Sequence, residues 1–73
     1  MILSRAKTKR SYIVNKITAL EKDKRKLYKL GVFKKVKIYL VEKIAGGGVI
    51  VSVSGSDIII GKKVAEKIEV SQC

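Results

Sequence analysis

The 73-residue sequence predicts a mainly β domain: a small, partly open barrel of about five strands with one α-helix and one short helical turn. Three observations lead there. Two apolar-alternating segments, VKIYLVEKI and VIVSVS, are separated by Ala45-Gly46-Gly47-Gly48. A third segment, DIII, follows directly after Ser54-Gly55-Ser56. Alternation with period two between glycine-marked turns reads as consecutive short antiparallel strands. The segment ahead of them, ending KLYKLG, reads as a helix with a glycine stop.

Taken in order, residues 1–10 are expected to form a loose basic N-terminal arm, since SRAKTKR has Ala6 as its only apolar residue. Ser11–Ile17 has strand composition. Tyr12 and Val14 alternate there with Ile13 and Ile17, and either pair suits a core. Thr18-Ala19-Leu20-Glu21 has the form of a capping box, in which the Thr18 hydroxyl accepts the Glu21 N–H and Glu21 returns to the Thr18 N–H. A helix over about 19–30 follows, with Leu20, Leu27 and Leu30 as a narrow apolar stripe. Gly31 then stands where a left-handed residue is wanted, and Val32 reaches back to Leu27.

The strand Val36–Lys43 places Val36, Ile38 and Leu40 on one face and Lys37, Tyr39 and Val41 on the other. Val49, Val51 and Val53 point inward, as do Ile58 and Ile60, leaving Ile50 and Ile59 outward. Gly61 releases the chain into a helical turn over about 62–66, and Ile68 and Val70 supply the last strand. Inward aliphatics on all these strands suggest a barrel of the SH3-like kind.

The length allows one domain, 1–73, whose core is marginal in size. The hydrophobic fraction of 47% and the charged fraction of 32% are those of a globular chain. The single cysteine, Cys73, permits no internal disulfide and suits a reducing compartment. The opening MILSRAKTKRSYIV lacks the apolar core of a secretory signal, and no apolar run approaches the roughly 18–20 residues of a membrane span. A cytoplasmic protein is expected.

Charge is lopsided. Residues 1–43 carry fourteen Lys/Arg against Glu21, Asp23 and Glu42, a net of +11, whereas residues 44–73 carry three of each sign. Such a field attracts anionic partners: nucleic acid, an anionic lipid leaflet or an acidic protein surface.

Catalytic chemistry finds no residues to carry it. There is no Ser/His/Asp or Cys/His set, and Gly46-Gly47-Gly48 is not followed by Lys-Ser/Thr and opens a strand, so it reads as a hairpin connection. A tight transition-metal site wants His, Cys or clustered carboxylates. The chain has no His, Glu21 and Asp23 diverge around the helix, and Lys67 lies between Glu66 and Glu69. No cofactor, metal site or small-molecule substrate is expected.

The spacing of Leu27, Leu30-Gly31, Val36, Ile38, Gly47, Val51, Val53, Gly55, Ile60, Ala65, Ile68 and Val70 resembles the ferrous iron transport protein A (FeoA) family. The same module forms the C-terminal SH3-like domain of iron-dependent repressors, although the helix-turn-helix such a repressor needs is not present in this sequence. The resemblance covers residues 12–70 and is strongest over GSDIIIGKKVAEKIEV. Two departures fall at turns. Lys34-Lys35 stands where the family has a Pro-Gly or x-Gly turn, and Val49 stands where a proline usually follows the strand-connecting glycines. The resemblance implies a small, non-enzymatic adaptor that acts with the membrane ferrous iron transporter and its cytoplasmic GTP-binding domain. A transition-metal-binding label also travels with the family, and the donor residues above argue against it here.

For partner binding, the resemblance points to the helix end: Leu27, Leu30, Gly31 and Val32. The charge pattern adds Lys22, Lys26 and Lys29, which lie along one helix side and would face an acidic domain or the inner, anionic face of the membrane. Outward parity adds Ile50 and Ile59, as strand neighbours that are either covered by the helix or open to a partner. The alternative reading is a small basic nucleic-acid-binding barrel, drawing on Tyr12, Tyr28, Phe33 and Tyr39 as stacking platforms.

Overall fold

Alternation decides what turns inward. In the computed structural model, which describes residues 1–73, Tyr12 and Val14 are buried on β1 (Arg10–Ile17) and Ile38 and Leu40 on β2 (Lys37–Lys43). Val49, Val51 and Val53 are buried on β3 (Val49–Val53), Ile60 on β4 (Ser56–Ile60), and Ile68 and Val70 on β5 (Ile68–Gln72). The five strands pair antiparallel in the order β4-β3-β2-β1-β5. Each fully buried aliphatic contributes about 1.5–3 kcal/mol, so this shared face is the main source of stability. Ile17, Val36, Ile58 and Val64 pack against the cluster from its margin. The hydroxyl of the buried Tyr12 donates to the Lys7 carbonyl at 2.7 Å near the surface, and no buried side-chain polar atom lacks a partner. The fold is the mainly β, five-stranded arrangement expected, with strand boundaries shifted by a residue or so. No helix is long and apolar enough to cross a membrane.

The connections follow from their residues. Ser54 and Gly55, with φ of 51° and 82°, form the two-residue turn between β3 and β4, whose left-handed pair matches the twist of a hairpin. Between β2 and β3 the chain closes on itself through Ile44 N–H to Gly48 O at 2.9 Å. Gly48 is buried there, and a Cβ on it would meet the Ile60 carbonyl oxygen at 3.1 Å.

Four expectations are corrected. Residues 1–10 are not a loose arm. Leu3 and Ala6 are fully buried, and Leu3–Arg5 forms a 3-10 turn. The Met1 ammonium and carbonyl bond the Val70 carbonyl and N–H at 2.8 and 2.7 Å, while Ile2 bridges to Glu69. The otherwise open edge of β5 offers these backbone partners, and the small apolar pair closes the core above Ile68 and Val70.

The main helix, α1, spans Glu21–Lys29 rather than 19–30. Thr18 does not cap it. Thr18 N–H and its hydroxyl both donate to the Lys67 carbonyl, at 2.8 and 3.2 Å, because Thr18 extends the β1–β5 ladder beyond Ile17↔Ile68. Leu20 becomes the N-cap, with no side-chain bond, and Glu21 lies 3.9 Å from Lys24 instead. The apolar stripe reduces to Leu27, since Leu20 and Leu30 are 67% and 50% exposed. A helix this short, resting on the rim of a barrel, meets the core along one line only. The second helix, α2 (Lys62–Ala65), buries Ala65.

Candidate partner-docking surface

The end of α1 is built as its glycine dictates. Gly31 has φ of 94°, which favours glycine, and the last turn closes through Val32 N–H to Leu27 O at 2.8 Å and Gly31 N–H to Tyr28 O at 3.0 Å. These two bonds are the Schellman pair, and they satisfy carbonyls that a helix end leaves free. Leu27 and Val32 are thereby buried, at 5% and 0% exposure, and they support the surface from beneath. Leu30 is left half-exposed at its rim.

Opposite Leu27, at about 100° per residue, stand Lys22, Arg25 and Lys29, with Lys26 on one shoulder; all four are exposed. The 17 Lys and Arg side chains make a single ion pair, Lys24 with Glu21 at 3.9 Å. The positive field of α1 therefore points outward unneutralised.

Beside this ridge, a depression of about 150 Å3 between α1, β4 and α2 brings together Lys26, Leu27, Leu30 and Ile59. Asp23 and Val64 connect it to a second hollow of about 370 Å3 at the start of α1, rimmed by Leu20, Lys63 and Lys67. Ile59 is 69% exposed, so the helix does not cover it. Ile50 is its direct cross-strand partner and is half-buried, as is Val41. Of the residues expected to bind a partner, Lys26, Leu27, Leu30 and Ile59 share one depression. Lys22 and Lys29 flank it on the helix, and Ile50 lies behind Ile59. Gly31 sits apart, with the Val53 side chain 3.7 Å from where its Cβ would be.

A further feature was not visible in the sequence. On the other shoulder of α1, Tyr28 and Phe33 pack together with centroids 4.9 Å apart, beside Asn15, Lys16 and Ile17 of β1. The spacing of Tyr28 and Phe33 around Gly31 was the available signal, because the helix-ending turn folds the chain back on itself.

The four aromatics do not form a row of stacking platforms. Tyr12 is buried, Tyr28 and Phe33 form one tilted, exposed pair beside α1, and Tyr39 stands apart on the outer face of β2. No three His, Cys, Asp or Glu side chains come together as a metal-holding group, and Cys73 is exposed at the end of the chain.

No curated protein sequence matches the chain significantly. Among solved structures, it resembles an iron uptake regulatory protein, FeoA, with 27% identity and a TM-score of 0.86, covering 100% of this chain and 96% of that one. It also resembles FeoA from Chlorobium tepidum at 25% identity and TM-score 0.90, covering 99% of this chain and 70% of that one. A third relative is the zinc-complexed FeoA of Stenotrophomonas maltophilia, at 25% identity and TM-score 0.76, covering 97% and 89%. That protein is described as a procaryotic SH3 domain protein with a suggested role as a ferrous iron transport activating factor. The sequence model of the FeoA domain matches residues 1–72. With five antiparallel strands, one capped helix and this match across almost its whole length, the chain belongs to the FeoA family.

Proposed function

We propose that the protein is a non-enzymatic accessory factor of ferrous iron uptake that docks, through the exposed face of α1, on the cytoplasmic GTP-binding part of a membrane ferrous iron transporter. The supporting observation is the construction of α1: a helix fastened by one buried side chain, Leu27, with Lys22, Lys26 and Lys29 outward and Leu30 and Ile59 uncovered beside them. A cationic ridge next to exposed aliphatics suits an acidic surface with an apolar centre: the charges steer the encounter and the aliphatics hold the contact. In the cytoplasm the same ridge would be drawn to the anionic inner leaflet, where each Lys or Arg near the surface contributes about 1 kcal/mol, keeping the protein close to its partner.

The experiment is a titration of the purified protein against its host's transporter cytoplasmic domain, with and without guanine nucleotide, at about 0.15 M salt. Saturable binding is expected, weakened at least about tenfold in the triple variant Lys22→Glu, Lys26→Glu, Lys29→Glu. All three positions are exposed, so the variant should keep the circular dichroism of the parent. Absence of binding up to about 100 μM, or an affinity indifferent to the three reversals, would refute the docking face.

A further inference from the structure

On the shoulder of α1 away from Ile59, a cleft of about 410 Å3 opens between the helix, the end of β1 and the turn after Gly31. Its floor is apolar, with Val32 fully buried and Ile17 half-buried. The Tyr28–Phe33 pair forms a wall, tilted at 36° between rings. Lys16, Lys24 and Lys34 stand around it, and no carboxylate lines it. Lys24 meets Glu21 at 3.9 Å, the limit of an ion pair, and Glu21 lies outside the lining.

The turn that holds Lys34 is itself informative. Val36 N–H closes it onto Phe33 O at 3.1 Å, and its third residue, Lys35, has φ of 75°, a position where turns of this kind normally require glycine. Lysine is strained there, and at both central positions it raises the cation density beside the cleft.

From these features we infer that the cleft seats a short acidic peptide segment of the protein's partner. One apolar side chain, best an aromatic, rests on Ile17 against the exposed ring of Phe33, above the buried Val32, and carboxylates on either side of it meet Lys16, Lys24 and Lys34. The field attracts carboxylates and nucleotides alike, so the apolar parts decide between them. Binding a nucleic-acid strand takes successive free aromatic faces. Here only two rings are in reach, tilted against one another at one spot, while Tyr12 is buried and Tyr39 stands on the outer face of β2. An apolar patch with cations around it suits one inserted side chain flanked by negative charge. This deepens the docking reading by giving the chemistry of the segment recognised.

The test uses the intact protein, isotope-labelled, and amide NMR titrations with two capped pentapeptides, EDFDE and its control EDGDE, which carry equal charge. Saturable shifts centred on Ile17, Tyr28, Phe33 and Lys34 are expected with the first, and an affinity at least about tenfold lower for the control, as loss of a buried aromatic anchor implies. The exposed double variant Lys16→Glu, Lys34→Glu should abolish saturation while keeping the amide spectrum of a folded protein. Equal affinity for the two peptides would overturn the proposal. So would shifts centred on Lys22, Arg25 and Lys29, or oligothymidylate saturating the cleft in place of the peptides. Because no transporter is present, failure here removes the cleft alone, and the docking reading stands or falls on its own titration.

Discussion

Replacing Leu27 by Ala should release α1 from the barrel without unfolding the sheet. Leu27 is the one buried residue of the nine in the helix. Its truncation removes burial at about 0.8 kcal/mol per methylene-sized group and leaves a partly unfilled cavity, together about 3 kcal/mol. Isolated helices shorter than about 12–15 residues are marginal in water, so α1 has little stability of its own with which to absorb that loss. The Schellman bonds at Gly31 and Val32 contribute only about 0.5–1.5 kcal/mol each. A domain of this size holds roughly 4–11 kcal/mol in total, which leaves the sheet enough stability to stay folded. Native-state amide exchange is the assay. At about 1.4 kcal/mol per factor of ten, amides of α1 should lose up to about 100-fold in protection, whereas Val51 and Leu40 should lose little. Equal loss of protection in α1 and in β2–β3 would refute the reasoning, because it would mean that helix and sheet open as one unit.

Gly31→Ala should cost about 1 kcal/mol, lowering the melting temperature by about 4–8 °C; the space around Gly31 is ordinary, so the loss is conformational and shows in thermal denaturation. Lys35→Gly should have the opposite sign, raising stability by about 0.5–1 kcal/mol by relieving a positive φ, and a fall in melting temperature would contradict that account. Leu3→Ala should cost about 2–5 kcal/mol in a denaturant titration, since Leu3 is wholly buried; a change within about 0.5 kcal/mol would mean that the N-terminal segment is dispensable after all.

What was legible in the sequence was whatever is encoded locally. The inward faces of β2, β3 and β4 follow from alternation, and the turn at Gly31 follows from glycine after a lysine-rich helix end. Thr18 shows where local reading fails. Thr-x-x-Glu is a sound capping signal, yet the Lys67 carbonyl, distant in sequence, claims both the N–H and the hydroxyl of Thr18. Leu3 and Ala6 carry no periodicity to read, and only β5, at the far end of the chain, gives them a reason to be buried. The lysine face of α1 could be foreseen because helical spacing alone defines it. For the Tyr28–Phe33 cleft, spacing around Gly31 signals the ring pair alone, because the cleft also needs the arrival of Asn15, Lys16 and Ile17 from another element.

The near absence of ion pairs has a consequence for the medium in which the chain folds. With a net charge of +11 and one marginal pair, most charge–charge terms in the native state are repulsive. The molecule measures 28 × 25 × 22 Å, so at about 0.01 M salt, where the screening length is about 30 Å, every cation feels every other. At about 0.15 M that length shrinks to about 8 Å and the repulsion becomes local. Dissolved ions thus belong to the folding energetics of this protein, whose stability should rise with ionic strength rather than fall. A polyanionic surface that bound the folded chain would act in the same way, as a concentrated counterion that stabilises the native state.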